Sequence, residues 1–506
     1  MHAGLREAAE LVDRARALYR DDPDAIELLD SWRRRLHEPL RLAVAGMVKA
    51  GKSTLLNALI GEKIAPTDAG ECTRTITWYR YGETAKVTAH LVDGAQARLP
   101  VMRIEGRLVL DLGRYTAEEV AWVDVEWPSE SLRAMTLIDT PGIGSLSEEV
   151  SARSIRFLTP QDSASGADAI LYLLRHVHSS DVRFLEAFRD TAAGATHAVN
   201  AVALLSRADE IGSGRIDSLL SAAQIADRYR RDGELRTLAL DCIPVAGLLA
   251  EAARTLRESE FAAFRELAGL ERDARDRLLI SVDRFTRASD ETSLTTAQRR
   301  ALLSRFGIFG VRLGAALVRG GATSSSELRD RMVQQSGLAD VQRFVADQFR
   351  SRAAALKARG VIHVVESLLA RHPVDGSDEL HAMIERLRAQ SHDLRELELL
   401  ALLRADAHGL SPLDRDQAER IVGGSGTAPL ARFGLAPAAT DQDVASRVRD
   451  VLVHWHAVAE SPLSDRGTAD IARLVIRSAE GARSELGVPD GGLGSAPHIV
   501  SAGAPA

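Results

Sequence analysis

Residues 46–53 read Gly46-Met47-Val48-Lys49-Ala50-Gly51-Lys52-Ser53, the spacing G-x-x-x-x-G-K-[ST]. The apolar run Leu42-Ala43-Val44-Ala45 before it reads as a buried strand, and Thr54-Leu55-Leu56-Asn57-Ala58-Leu59-Ile60 after it as a helix. Strand, glycine-rich loop and helix together make a phosphate loop. In that setting the backbone N–H groups of residues 47–53 face a polyphosphate, within an expected nucleotide-binding run from Gly46 to Thr54, and the helix N-terminus adds its partial positive charge. Lys52 is expected to reach the β- and γ-phosphates, and the Ser53 hydroxyl to ligate Mg²⁺.

Outward from this loop the pattern alternates between strand and helix over residues 40–247. Strands are expected at 41–45, 75–81, 86–92, 120–127, 135–139, 169–174, 199–205 and 239–245. That alternation predicts an α/β domain with a mostly parallel sheet and helices on both faces. Asp139-Thr140-Pro141-Gly142 ends one predicted strand. There a carboxylate can hold Mg²⁺ through water, and the Gly142 N–H can meet the γ-phosphate. Thr73, in the polar segment 66–74, is the expected third hydroxyl of the metal site, with Thr67 and Thr75 as competitors.

Ser206-Arg207-Ala208-Asp209 follows another apolar strand. The Asp209 carboxylate can accept from guanine N1–H and from its exocyclic amine, whereas adenine offers an acceptor at N1 and no group at C2. Arg207 can stack its planar head on the base. Ala246, after the last predicted strand, would close the pocket with backbone groups. The expected ligand is therefore GTP or GDP.

After residue 248 strand signals stop and helical periodicity dominates: 249–264, 270–286, 296–318, 324–335, 339–369 and 378–403, then a helix beginning after Thr440 in which Val444, Val448, Val451 and Trp455 form one stripe. Residues 4–36 form one or two amphipathic helices before the nucleotide domain. The expected division is a helical segment 1–38, a nucleotide domain 39–340 (core 40–250, helical extension 250–340), a bundle 341–486 and a disordered tail 487–506.

Composition narrows the remaining classes. The formal charge of −7 over 506 residues argues against a nucleic-acid partner. Two cysteines, Cys72 and Cys242, give no disulfide framework and point to a reducing cytoplasm. The N-terminal residues lack the apolar core of a signal peptide, and no run is read as membrane-spanning because Arg312 interrupts Phe306–Val318. Membrane contact would then be peripheral, through Phe306–Val318 or the Gly423–Ala439 segment with Leu430, Phe433 and Leu435. Core packing is the plainer reading of both. His176 and His178 lack an evident third metal ligand.

The Gly46–Ser53 loop, Glu71-Cys72-Thr73-Arg74, Asp139–Gly142 and Ser206–Asp209, with the flanking Ala65-Pro66-Thr67-Asp68 and Thr77-Trp78-Tyr79, resemble the bacterial dynamin-like GTPases, in particular the isoniazid-inducible dynamin-like proteins of actinobacteria. The resemblance covers about residues 40–250. It implies GTP hydrolysis with Mg²⁺ and a neck and stalk built from the N-terminal helix and the C-terminal half. It further implies pairing across the GTPase face, as a homodimer or with a paralogue, and contact with the inner face of the plasma membrane. Ile143 stands where small GTPases place a catalytic glutamine. Many dynamins use polar residues at the loop's third and fourth positions, one for water and one for a charge-compensating cation such as K⁺. Here those positions are Val48 and Lys49, so Lys49 is expected to supply the charge itself, as an internal arginine finger does in guanylate-binding relatives. A soluble regulatory GTPase docking a protein, and a slow GTP-binding partner of a paralogue, are the rival readings.

Overall fold

The computed structural model describes residues 3–66, 75–104, 107–143, 148–158, 166–193, 199–231, 235–404 and 409–489. It forms two compact units, Met1–Leu394 and Arg395–Ala506.

The first unit is built on a nine-stranded sheet. Its strands are β1 (Leu40–Gly46), β2 (Ile76–Tyr81), β3 (Lys86–Leu91), β4 (Gln96–Leu99), β7 (Val120–Trp127), β8 (Met135–Asp139), β9 (Ala169–Leu174), β10 (Ala201–Ser206) and β11 (Cys242–Val245). Two short strands, β5 (Met102–Ile104) and β6 (Arg107–Val109), pair with each other as a separate ribbon. The order across the sheet is β11-β10-β9-β1-β8-β2-β7-β3-β4. From β11 to β8 every pairing is parallel. The sheet then reverses: β2 runs antiparallel to β8, and β3 antiparallel to β7 and β4.

Because side chains alternate across a strand, Ala43, Ala45, Ile170, Tyr172, Leu174, Ala201, Ala203 and Leu205 share one core. Phe184, Leu185 and Phe188 of the helix Ser179–Ala193 and Ala222 and Ala226 of the helix Ser218–Arg231 complete it. The intervening Leu42, Val44, Leu171 and Leu173 are equally buried, so both faces of the central strands are covered, as parallel strands require. A second core joins residues 246–332, with Leu249, Phe264, Phe285, Phe306, Phe309 and Met332 at its centre. The helical extension therefore packs as one body. The expected helix 249–264 is two helices, Gly247–Arg254 and Glu258–Gly269, the second started by Glu260, whose carboxylate accepts from the Arg257 N–H at 2.9 Å.

The N-terminal helices Ala3–Leu18 and Pro23–His37 pack on the helix Ala353–Arg371. Arg35 Nη2 meets Asp168 Oδ1 at 2.6 Å with both side chains buried, and Asp168 Oδ2 accepts from the Arg41 N–H at 2.8 Å. This pair anchors the N-terminal helices at the end of the sheet where β1 and β9 begin. The expected boundary at 340/341 falls inside the helix Leu338–Phe344, and the first unit runs on to Leu394.

The second unit is helical: Pro412–Ile421, Pro429–Arg432, Asp441–Glu460 and Arg466–Glu485 follow the end of His392–Arg404. The expected cap is present, Thr440 and Asp443 bonding reciprocally at the start of Asp441–Glu460. Val444, Val448, Val451 and Trp455 form its buried stripe.

Of the two peripheral membrane candidates, Phe306–Val318 lies in the second core, whereas in Gly423–Ala439 Phe433 is buried and Leu430 and Leu435 are half-buried. Arg432, beside Phe433, bonds Glu396, with Nη2 to Oε2 at 3.0 Å. Contrary to the sequence reading, Thr296–Arg319 is long and apolar enough to cross a membrane by length and composition, though its backbone leaves helical geometry at Gly307. Counting Arg312 as an interruption understated this run. Leu302, Phe306, Phe309, Val311 and Leu313 of that helix are buried in the second core, and packing there accounts for its composition.

Candidate functional site

The register of β1 against β8 sets Val44 beside Asp139, and that of β1 against β9 sets Gly46 beside Leu173. The loop that leaves β1 therefore lies at the strand ends where β8 presents its terminal carboxylate, the position where open α/β sheets bind ligands. The helix Lys52–Ile60 starts immediately after the loop, with Gly51 left-handed at its cap.

Within the loop, the Lys52 Nζ donates to the carbonyls of Gly46 at 3.2 Å and Met47 at 3.3 Å. Burial lowers its pKa, with Asp139 opposing the shift. The Ser53 hydroxyl donates to Asp139 Oδ2 at 2.9 Å. Asp139 Oδ1 is buried with no hydrogen-bond partner among the described residues. Burial pushes this carboxyl up to about 6, against the pull of Lys52 and Ser53. Two hard oxygen donors side by side, one with an unused buried atom, suit Mg²⁺. Ser53 and Asp139 could hold the ion.

The segment that leaves β8 is locked to the loop. Thr140 donates its hydroxyl to the Val44 carbonyl at 2.9 Å, the Ile143 N–H reaches the Gly46 carbonyl at 3.2 Å, and the Val48 N–H reaches the Ile143 carbonyl at 3.3 Å. A Cβ on Gly142 would lie 2.5 Å from Val48 Cγ2 and 2.9 Å from its Cα, so only glycine allows this close approach.

Lys49 is exposed, with φ 63, and its ammonium has no ion pair among the described residues. Its carbonyl accepts from Arg207 Nη2 at 3.0 Å, which ties the Ser206–Asp209 segment to the phosphate loop. Arg207 also pairs with Glu210 at 2.9 Å. Ser206 donates to the Leu174 carbonyl at 3.1 Å. Asp209 is 8% exposed, and burial raises its carboxyl pKa from the ordinary value. A buried carboxylate at this place is suited to a ligand edge with two donors.

Ala246 is differently placed from the expectation. Its N–H donates to the Ser336 carbonyl and its carbonyl accepts from the Ala250 N–H, both at 2.9 Å. Its backbone groups hold the helix that follows and are already used. Thr73, Thr67 and Cys72 lie outside the described residues. Thr75 has a buried hydroxyl without a partner among the described residues, two residues before Thr77, which faces Asp139 across β2 and β8.

Two contributors were missed in the sequence. Asn57 is buried, and its side chain bonds the Ile64 N–H, the Ala65 N–H and the Ala65 carbonyl at 2.9, 2.7 and 3.0 Å, fixing the chain that leads into the 67–74 segment. A polar amide on the inner face of an apolar helix was the available signal. Gly307, inside the apolar helix pattern 296–318, has non-helical angles, and lies near Asp209. An isolated glycine in such a pattern was its signal.

Strand, phosphate loop and helix, with a carboxylate on the neighbouring strand, define a phosphate-loop nucleotide-binding protein. The model of the dynamin family matches residues 42–201. Isoniazid-induced protein IniC of Mycobacterium tuberculosis is 40% identical over 468 residues, 92% of this chain and 94% of IniC. The bacterial dynamin-like protein of Nostoc punctiforme is 35% identical over 114 residues, 20% of this chain and 16% of the relative. Isoniazid-induced protein IniA of M. tuberculosis is 31% identical over 167 residues, 30% of this chain and 25% of IniA. A solved chain from a study of an oligomerised bacterial dynamin pair that tethers membranes aligns over 96% of this chain and 90% of its own length, at 12% identity and a TM-score of 0.34. The chain belongs to the dynamin family, whose members are GTPases.

Proposed function

We propose that this chain binds and hydrolyses GTP with Mg²⁺, and that pairing of GTPase faces is coupled to membrane binding or remodelling. The Ser53–Asp139 pair beside the loop, with one carboxylate oxygen unused, carries the chemical part of the reading. Membership of the dynamin family supports the membrane part.

In this reading Lys52 leaves the Gly46 and Met47 carbonyls to meet the β- and γ-phosphates. Ser53 and Asp139 hold the ion, Asp139 through water, with Thr73 as a further hydroxyl. A bound ion would neutralise charge developing on the phosphates. Gly142 offers its N–H to the γ-phosphate. Asp209 accepts from guanine, and Arg207 covers the base. Val48 has no side-chain group to hold water. Lys49 swings over the phosphates when two faces meet and takes the place of a monovalent cation such as K⁺. Residues 1–38 and 341–486 act as neck and stalk around the GTPase domain 39–340. The protein works in the cytoplasm, at the inner face of the plasma membrane.

A second reading is a slow GTP-binding partner of a paralogue. M. tuberculosis holds two relatives of this chain, IniC and IniA, which favours a paired system. The test is Mg²⁺-dependent turnover of GTP by the purified chain, alone, with anionic liposomes and with a paralogue. Lipid-stimulated turnover supports the first reading, and turnover only with the paralogue supports the second. Absence of GTP turnover in all three arms contradicts both.

A further inference from the structure

The helix Thr296–Arg319 is not continuous. It starts on a reciprocal Thr295–Gln298 cap, but at Gly307 φ is 63 and ψ is 172, a backbone region that essentially only glycine occupies. Core packing gives no reason for a break there, since Phe306 and Phe309 on either side are both buried in the same cluster.

The surroundings of the break supply one. A Cβ on Gly307 would lie 3.7 Å from Leu248 Cδ2 and 3.9 Å from Asp209 Oδ2. Just past the break, Ile308 Cγ2 would be 3.1 Å from a Cβ on Gly214, a position also 3.6 Å from the Asp209 carbonyl. One turn further on, Arg312 donates to the carbonyls of Gly214 at 2.6 Å, Leu279 at 2.9 Å and Ile280 at 2.8 Å. The second half of the helix is thus fastened to the loop that follows Asp209, and the glycine sits over the carboxylate itself. Asp209 is 92% buried, and among the described residues no other side chain bonds its carboxylate. Leu248, 38% exposed at the start of the helix after β11, borders the same position at 3.7 Å.

We infer that the break at Gly307 shapes the base pocket: Gly307 and Leu248 form a wall of the slot that ends at the Asp209 carboxylate, so the helical extension sets guanine affinity. The inference rests on the reading of Asp209 as the guanine-binding carboxylate. A base edge bonding that carboxylate needs donors at about 2.9 Å from its oxygens, and a Cβ at position 307 would border Asp209 Oδ2 at 3.9 Å, beside the space that edge occupies. It would also force the strained backbone to relax and shift Ile308 against Gly214.

The test compares equilibrium binding of GTP and of inorganic tripolyphosphate, both with Mg²⁺, to four variants of the full chain. Gly307→Ala should weaken GTP by about tenfold or more while leaving tripolyphosphate unchanged, because the loss is confined to the base. Leu248→Ala should move GTP in the same direction. Gly321→Ala, which also strains a positive φ (95) at the end of the same helix but meets nothing within 4 Å, should leave both ligands unchanged. Asp209→Asn should exchange a preference for GTP for one for xanthosine triphosphate, whose C2 carbonyl matches the new amide donor. If Asp209→Asn makes that exchange but Gly307→Ala and Leu248→Ala keep wild-type GTP affinity, this inference fails alone. If Asp209→Asn makes no exchange, the guanine reading fails and takes the inference with it. Should Gly307→Ala lose tripolyphosphate as well, it has lost its fold, and Leu248→Ala decides.

Discussion

Ser53 donates its hydroxyl to Asp139 Oδ2 at 2.9 Å, while Asp139 Oδ1 stays buried and unpartnered among the described residues. Burial is the larger influence on this carboxyl and lifts it from 3.8 to about 6. The folded, nucleotide-free chain then holds this proton more tightly than the unfolded chain. The resulting stability is fully present below about pH 3.8 and is lost as pH rises to about 6. Asp139→Asn removes the dependence. In urea unfolding without nucleotide, the wild type should lose up to roughly 3 kcal/mol relative to Asp139→Asn across that window, then level off. A flat difference between pH 4 and 7 would contradict the assignment.

The two loop lysines should separate binding from turnover. Lys52 is buried against the Gly46 and Met47 carbonyls, whereas Lys49 is exposed. Lys52→Ala should abolish measurable GTP binding. Lys49→Ala should keep affinity and lose on the order of 10³-fold in turnover. Added K⁺ should leave the wild type unaffected. Wild-type turnover in Lys49→Ala would reduce Lys49 to a surface charge.

Arg35 and Asp168 join the N-terminal helices to the sheet with side-chain exposures of 6% and 1%. Removing one partner strands the other. Arg35→Met should cost about 3–5 kcal/mol in chemical unfolding, and the double variant Arg35→Met, Asp168→Leu should recover much of it. Additive losses would mean that the pair is not coupled.

Phe433 is a core residue rather than a lipid anchor. Phe433→Ala should cost about 3–5 kcal/mol of stability, and liposome flotation of the protein that remains folded should not change. Loss of flotation at unchanged stability would restore the membrane assignment.

Regular periodicity carried most of the fold into the sequence. The strands 120–127, 135–139 and 169–174 stand where expected because each is bounded by charge or turn residues. β4, β5 and β6 went unread: at four, three and three residues they are too short to show a periodic pattern, and their pairing is set by neighbours. The phosphate-loop half of the site was legible because its residues are contiguous. The rest depends on partners distant in sequence, such as Arg35 with Asp168 and Gly307 with Asp209. No local pattern encodes those pairs.

Nucleotide selectivity in turnover tests a GTPase built around Asp209 most directly. Hydrolysis of GTP, ATP and xanthosine triphosphate should be measured with Mg²⁺ for the wild type and for Asp209→Asn, under the condition of liposomes or paralogue that gives the highest rate. The wild type should turn over GTP well above the other two, and the variant should favour xanthosine triphosphate. Equal turnover of ATP and GTP by the wild type, or an unchanged preference in the variant, would contradict a GTPase built around Asp209.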